Sequence, residues 1–165
     1  MLAPRMPGEP VHCLVEIPKG SRNKYTWDEE LGAIKLDRFL FSSVVYPTDY
    51  GFIQGTRSPK GSSLDAMVCV SAATFPGCVI LVRVIAVFRT KDEAGQDDKL
   101  LCVPYGDPNW SHMEELDDLP SQLRAEIEHF FSIYKMPEGR AVEIQGWENR
   151  ETAERLLDEA RRAAQ

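Results

Sequence analysis

The feature that most constrains the fold is the run at residues 78–88, Cys-Val-Ile-Leu-Val-Arg-Val-Ile-Ala-Val-Phe, apolar and β-branched almost throughout and entered through Pro76-Gly77. That composition predicts a buried strand. The run is too short to cross a bilayer as a helix and long enough to bend across two sides of a barrel. Residues 66–70 form a second buried strand, and residues 11–17 a third around Glu16. Residues 24–28 and 33–37 read as a hairpin turning near Gly32. Residues 99–103 add another strand, reached through a polar loop at 90–98.

The period then changes. Leu123, Ile127, Phe130, Phe131 and Tyr134 recur at helical spacing, predicting a helix over 120–135 that starts after Asp117 and Asp118 and stops at Pro137 and Gly139. A short strand at 141–145 and a second helix at 151–164 follow, the latter facing Ala153, Leu156, Leu157 and Ala160 inward. Many strands and then helix, strand, helix predict an α+β domain with a β-barrel body. The 165 residues suit one domain at 11–165 behind a mobile, proline-rich leader at 1–10.

Charge narrows the partners. Nineteen Lys and Arg against 26 Asp and Glu give a net charge of -7, which argues against nucleic acid or an anionic membrane as the main partner. A small anion remains compatible, because a local basic cluster can sit in an acidic whole. Nowhere do apolar residues run long enough to span a membrane. Cys13, Cys69, Cys78 and Cys102 show no paired spacing, and three lie in apolar runs, so reduced thiols in a cytoplasmic protein are expected.

Three stretches carry the chemistry. In Lys91-Asp92-Glu93-Ala94-Gly95-Gln96-Asp97-Asp98-Lys99, a turn at Gly95 brings Asp92 and Asp97 together; this suits either a hard divalent cation or a solvated hairpin loop. Tyr46-Pro47-Thr48-Asp49-Tyr50-Gly51-Phe52 either puts phenols in a cleft or packs aromatic turns on the core. Residues 16–25 cluster Lys19, Arg22 and Lys24 around Gly20, a phosphate-friendly loop or a charged sheet edge. His12, His112 and His129 are too scattered to form a metal triad.

Together these stretches are more specific than any one alone. Glu16-Ile17-Pro18, Asn23-Lys24-Tyr25, Asp37-Arg38, Tyr46-Pro47-Thr48-Asp49-Tyr50-Gly51, Asp92-Glu93-Ala94-Gly95-Gln96-Asp97-Asp98-Lys99 and Tyr134-Lys135 occur in that order. With His129-Phe130-Phe131 and Gly146-Trp147-Glu148-Asn149, the chain closely resembles the soluble inorganic pyrophosphatases of the bacterial short type from about residue 11 to residue 149. The resemblance implies a closed five-stranded OB-like β-barrel with flanking α-helices, a homohexamer, and Mg²⁺-dependent hydrolysis of pyrophosphate. Position by position, it implies Glu16, Asp65, Asp92 and Asp97 as metal ligands. Lys24, Arg38, Tyr50, Lys99, Tyr134 and Lys135 become phosphate binders, and Asp65, Tyr46 and Glu93 catalytic positions.

Three positions depart from that pattern. The family's Asp-Gly-Asp-Pro-x-Asp stands here as Lys60-Gly61-Ser62-Ser63-Leu64-Asp65, and its Lys-Tyr-Glu as Lys24-Tyr25-Thr26. Replacing aspartate by Lys60 adds two charge units, while Ser62 and Thr26 add one each. Two unit charges about 4 Å apart interact by about 4 kcal/mol at an effective dielectric near 20, so each lost carboxylate weakens a divalent ion's hold. Ser62 also stands where the resemblance puts the carboxylate that helps deprotonate the attacking water, and Asp49 and Asp98 are the nearby carboxylates to compensate. The sequence therefore implies a divergent pyrophosphatase with weak turnover and reduced Mg²⁺ affinity. Its rivals are a non-hydrolytic diphosphate binder and an enzyme for another phosphorylated small molecule.

Overall fold

A computed structural model describes residues 4–165. Eight strands and two α-helices follow one another: β1 (Val11–Ile17), β2 (Asn23–Asp28), β3 (Ala33–Phe39), β4 (Asp49–Ile53), β5 (Asp65–Val68), β6 (Val79–Asp92), β7 (Gly95–Pro104), α1 (Ser121–Ile133), β8 (Glu143–Asn149) and α2 (Arg150–Ala163). The α+β reading holds. β1 pairs with both β4 and β6, β4 with β5, β5 with β7 in parallel, and β7 with β6, so the pairings return to β1 through five strands. β8 extends the sheet from the outer edge of β6, and β2–β3 form a separate hairpin.

β6 serves two sides, as its composition predicts. Its first residues pair with β1 and its later ones with β8, and a register shift between Val84 and Ala86 marks the bend. Neighbouring strands are buried on both faces. On β7, Leu101 and Val103 join a cluster with Phe130 and Phe131 of α1, whereas Leu100 and Cys102 join one with Ala153 and Leu157 of α2. Each helix thus covers one set of alternating side chains. Cys13, Cys69 and Cys102 are buried in these layers, and all four cysteines are free thiols. The three histidines lie exposed.

Three local readings are corrected. The polar stretch 90–98 is mostly strand, because β6 runs to Asp92 and β7 starts at Gly95; of its polar side chains Asp92 and Asp97 border a cavity. Residues 46–52 are not only aromatic turns, since Asp49–Ile53 is β4. Gly51 there approaches β1 so closely that any Cβ would strike the Leu14 backbone. The strand expected at 141–145 lies at Glu143–Asn149.

Met1, Leu2 and Ala3 of the expected leader lie outside the described residues. Residues 4–10 rest on α2: Arg5 ion-pairs with Glu154 and with Asp158, and the Gly8 amide donates to Glu154 Oε1 at 3.0 Å.

Candidate active site

A cavity of about 670 Å³ opens between the β2–β3 hairpin, the β4–β5 turn, the β6–β7 tip and the C-terminal end of α1. All the singled-out site residues border it except Arg38 and Glu93. Arg38 Nε lies 2.8 Å from Glu138 Oε1, and Glu93 pairs at 2.8 Å with Arg140.

Each remaining side chain has a structural reason for its position. Glu16 is the extra residue of a β-bulge in β1, between the Val15–Gly51 and Ile17–Tyr50 pairs, and such a bulge re-aims a side chain. Its carboxylate accepts from the Trp27 amide at 2.9 Å and the Thr26 hydroxyl at 3.5 Å. Burial pushes its pKa up to about 7 against those bonds. Asp65 opens β5 opposite Lys99 of β7 in the parallel register. The Tyr50 hydroxyl donates to Asp65 Oδ2 at 2.7 Å. Burial raises the Asp65 pKa, opposed by the Lys99 ammonium.

Lys99 is almost wholly buried, 1% exposed. Its ammonium lies 2.9 Å from Asp97 and 3.7 Å from Asp65, 5.5 Å from the Tyr50 ring centre and 5.1 Å from that of Phe131. Lys135, just beyond α1, reaches Asp92 at 3.2 Å, and burial lowers its pKa. Burial works against ionisation of Asp92, yet the Ala94 amide, Lys135 and Lys60 outweigh it and hold the carboxyl down at about 2. The Tyr46 and Tyr134 rings pack tilted against Phe130, and burial raises the pKa of both phenols. Lys24 pairs with Asp37 at 3.3 Å on the hairpin.

Comparison with known proteins gives the family. The model described as Inorganic pyrophosphatase matches residues 13–165. The chain is 51% identical over 148 residues to the inorganic pyrophosphatase of Methanosarcina acetivorans, covering 90% of this chain and 88% of that one. It is 50% identical over 145 residues to that of Streptomyces coelicolor, covering 87% and 89%. The inorganic pyrophosphatase structure from Thermus thermophilus superposes with a TM-score of 0.93 at 36% identity, covering 99% of this chain and 96% of that one. The chain belongs to the inorganic pyrophosphatase family.

Against that family the three altered positions have definite surroundings. Lys60 puts its ammonium between two carboxylates, 3.2 Å from Asp92 and 3.7 Å from Asp97. Thr26 gives Glu16 a hydroxyl donor at 3.5 Å. Ser62 Oγ faces Ser58 Oγ at 3.5 Å. Among the described residues, no three His, Cys, Asp or Glu side chains converge as a metal-ligating group. The residues therefore do not fit a resident divalent ion in this arrangement: protein donors already occupy the carboxylates it would need.

Neither Asp49 nor Asp98 borders the cavity. Asp49 accepts from the Lys19 amide and from Thr74, and Asp98 from Arg89 and Gln96. Sequence reasoning missed Arg57 and Arg140, which also border the cavity. The sequence signal for Arg57 is its place three residues before Lys60, two cations flanking Ser58-Pro59.

Proposed function

We propose that the chain is a divergent inorganic pyrophosphatase that binds diphosphate in this cavity and hydrolyses it slowly to two phosphates. The observation that carries the reading is the set of Lys24, Lys99, Lys135, Tyr50 and Tyr134 around one cavity. Ammonium and phenol donors in a partly desolvated cleft suit phosphoryl oxygens and the charge that develops on them. Arg38, on β3 opposite Lys24, adds a guanidinium at the hairpin edge.

Water adds to one phosphorus, the bridging P–O bond breaks, and the departing phosphate takes the electron pair and a proton. Asp65 is the carboxylate available to receive the water's proton, since its pKa is raised and Tyr50 orients it. Tyr46, on the cavity wall, keeps the catalytic role that the resemblance implies; Glu93, outside the cavity, acts only through its ion pair with Arg140, which borders it. Ser62 cannot take a proton near neutral pH, and losing such a base costs roughly 10²–10⁴-fold in rate. Mg²⁺, the cofactor that the resemblance implies, would have to displace protein donors from Asp92, Asp97 and Glu16 to be held, and its affinity is reduced because Lys60, Ser62 and Thr26 replace carboxylates.

The reading extends to a cytoplasmic protein assembled as a homohexamer. Reduced cysteines support the first part, and exposed Leu36, Phe39 and Phe41 on and after β3 support an assembly surface. No described helix is long and apolar enough to cross a membrane.

A non-hydrolytic binder is favoured by Lys60 lying between Asp92 and Asp97. A larger phosphorylated substrate is favoured by the cavity, whose volume falls among pockets for drug-sized ligands, roughly 300–1,000 Å³. Phosphate release from diphosphate with Mg²⁺ or Mn²⁺, for the wild type and for the triple reversion Lys60→Asp, Ser62→Asp, Thr26→Glu, separates the readings. Slow wild-type release that rises on reversion is the expected result. Release at the reversion's rate by the wild type removes the claim of weak turnover. No wild-type release, with activity only on reversion, favours a binder or another substrate.

A further inference from the structure

Two of the three replacements supply surviving carboxylates with donors from the chain itself. Thr26 donates to Glu16 and Lys60 to Asp92 and Asp97, while Ser62 Oγ lies 3.5 Å from Ser58 Oγ. We infer that Lys60 is a built-in counter-cation, through which this cavity binds diphosphate without a divalent metal.

The geometry suits a cation that can change partners. Lys60 sits on a tight turn in which the Ser58 amide donates to Ser62 O at 2.6 Å and the Gly61 amide to Ser58 O at 2.9 Å; Gly61 has φ of 90°. The turn fixes the backbone, while the four-carbon stem leaves the ammonium free to swing. Asp92 does not depend on Lys60, because Lys135 stands 3.2 Å from it, and Asp97 has Lys99 at 2.9 Å. Phosphoanhydride oxygens entering the cavity can therefore draw Lys60 away without stranding a carboxylate. Arg57, on the same wall and in no ion pair among the described residues, offers a second cation at the rim.

A point charge on a flexible stem neutralises phosphate but does not polarise water as a divalent ion does. Lys60 thus supports binding more than cleavage. The inference rests on the diphosphate site proposed above and adds to it the independence from metal.

The test is calorimetric titration of the full chain with methylenediphosphonate, in EDTA and again in Mg²⁺. Binding in EDTA is expected for the wild type and for Lys60→Arg, with Lys60→Gln weakened roughly tenfold or more. Wild-type binding that needs Mg²⁺, or Lys60→Gln binding in EDTA as tightly as the wild type, overturns the metal-free role and leaves the diphosphate site standing. Absence of binding in both media removes the site itself and the inference with it. Lys60→Arg keeps the charge, so its retained binding also separates loss of the cation from damage to the turn.

Discussion

Two walls of the cavity differ in kind. One is built from paired strands and the C-terminal end of α1: Lys99 is buried on β7 between Tyr50 and Phe131, and Lys135 is held on Asp92. The other is the turn 58–65, mostly exposed before Leu64, carrying Lys60 and Ser62. The first wall retains the residues the family resemblance implies, and the second has lost its acidic excess, with Lys60 balancing Asp65. The contrast teaches where charge can be rewritten. A buried ammonium is locked to its carboxylates by desolvation, whereas a surface turn can exchange aspartate for lysine without disturbing the core.

Breaking the buried wall should have the largest effect. Lys99→Met leaves Asp97 and Asp65 facing each other with less compensation, and should destabilise the fold by about 3 kcal/mol in urea unfolding. On the same side of the molecule, Gly51→Ala forces a methyl onto the Leu14 backbone and should cost roughly 1–3 kcal/mol, read as a lower unfolding midpoint.

Glu16 sharpens the comparison through pH. Its folded pKa, about 7, lies above its unfolded value, so between those values the folded chain holds more protons than the unfolded one. Its contribution is therefore undiminished below the unfolded pKa, and stability falls as pH rises from there to about 7. Glu16→Gln should flatten that fall in unfolding curves recorded in EDTA. The smallest effect belongs to the turn: Lys60→Ala should change stability by less than about 1 kcal/mol, since Asp92 keeps Lys135 and Asp97 keeps Lys99. A Lys60 loss as costly as that of Lys99 would erase the distinction between the walls.

The sequence made the same division partly visible. The apolar runs, the hairpin near Gly32 and both helices could be read because burial writes a period into the chain. The ends of β6 and β7 were hidden, since residues 90–98 are polar at a hairpin tip, where Asp92 and Asp97 border the cavity, and look like a loop. β4 was hidden by Gly51 and its aromatic neighbours, whose need is a close approach to β1 rather than strand propensity. Most of the side chains gathered at the cavity were legible through ordered motifs, although Arg38 and Glu93 of those motifs lie outside it. Their pairing was not: Lys60 lying between Asp92 and Asp97, and Asp49 turned to Lys19 and Thr74, are contacts between segments distant in the chain. Arg57 carried no motif, only its nearness to Lys60.

The cation balance of the cavity can be read most directly by titrating the substrate-free chain with Mn²⁺ and following the free-ion paramagnetic signal, beside the triple reversion Lys60→Asp, Ser62→Asp, Thr26→Glu. Little Mn²⁺ should bind the wild type, and the reversion should take up the ion tightly. Several tightly held ions on the wild type, unchanged by the reversion, would contradict the exchange of metal for lysine.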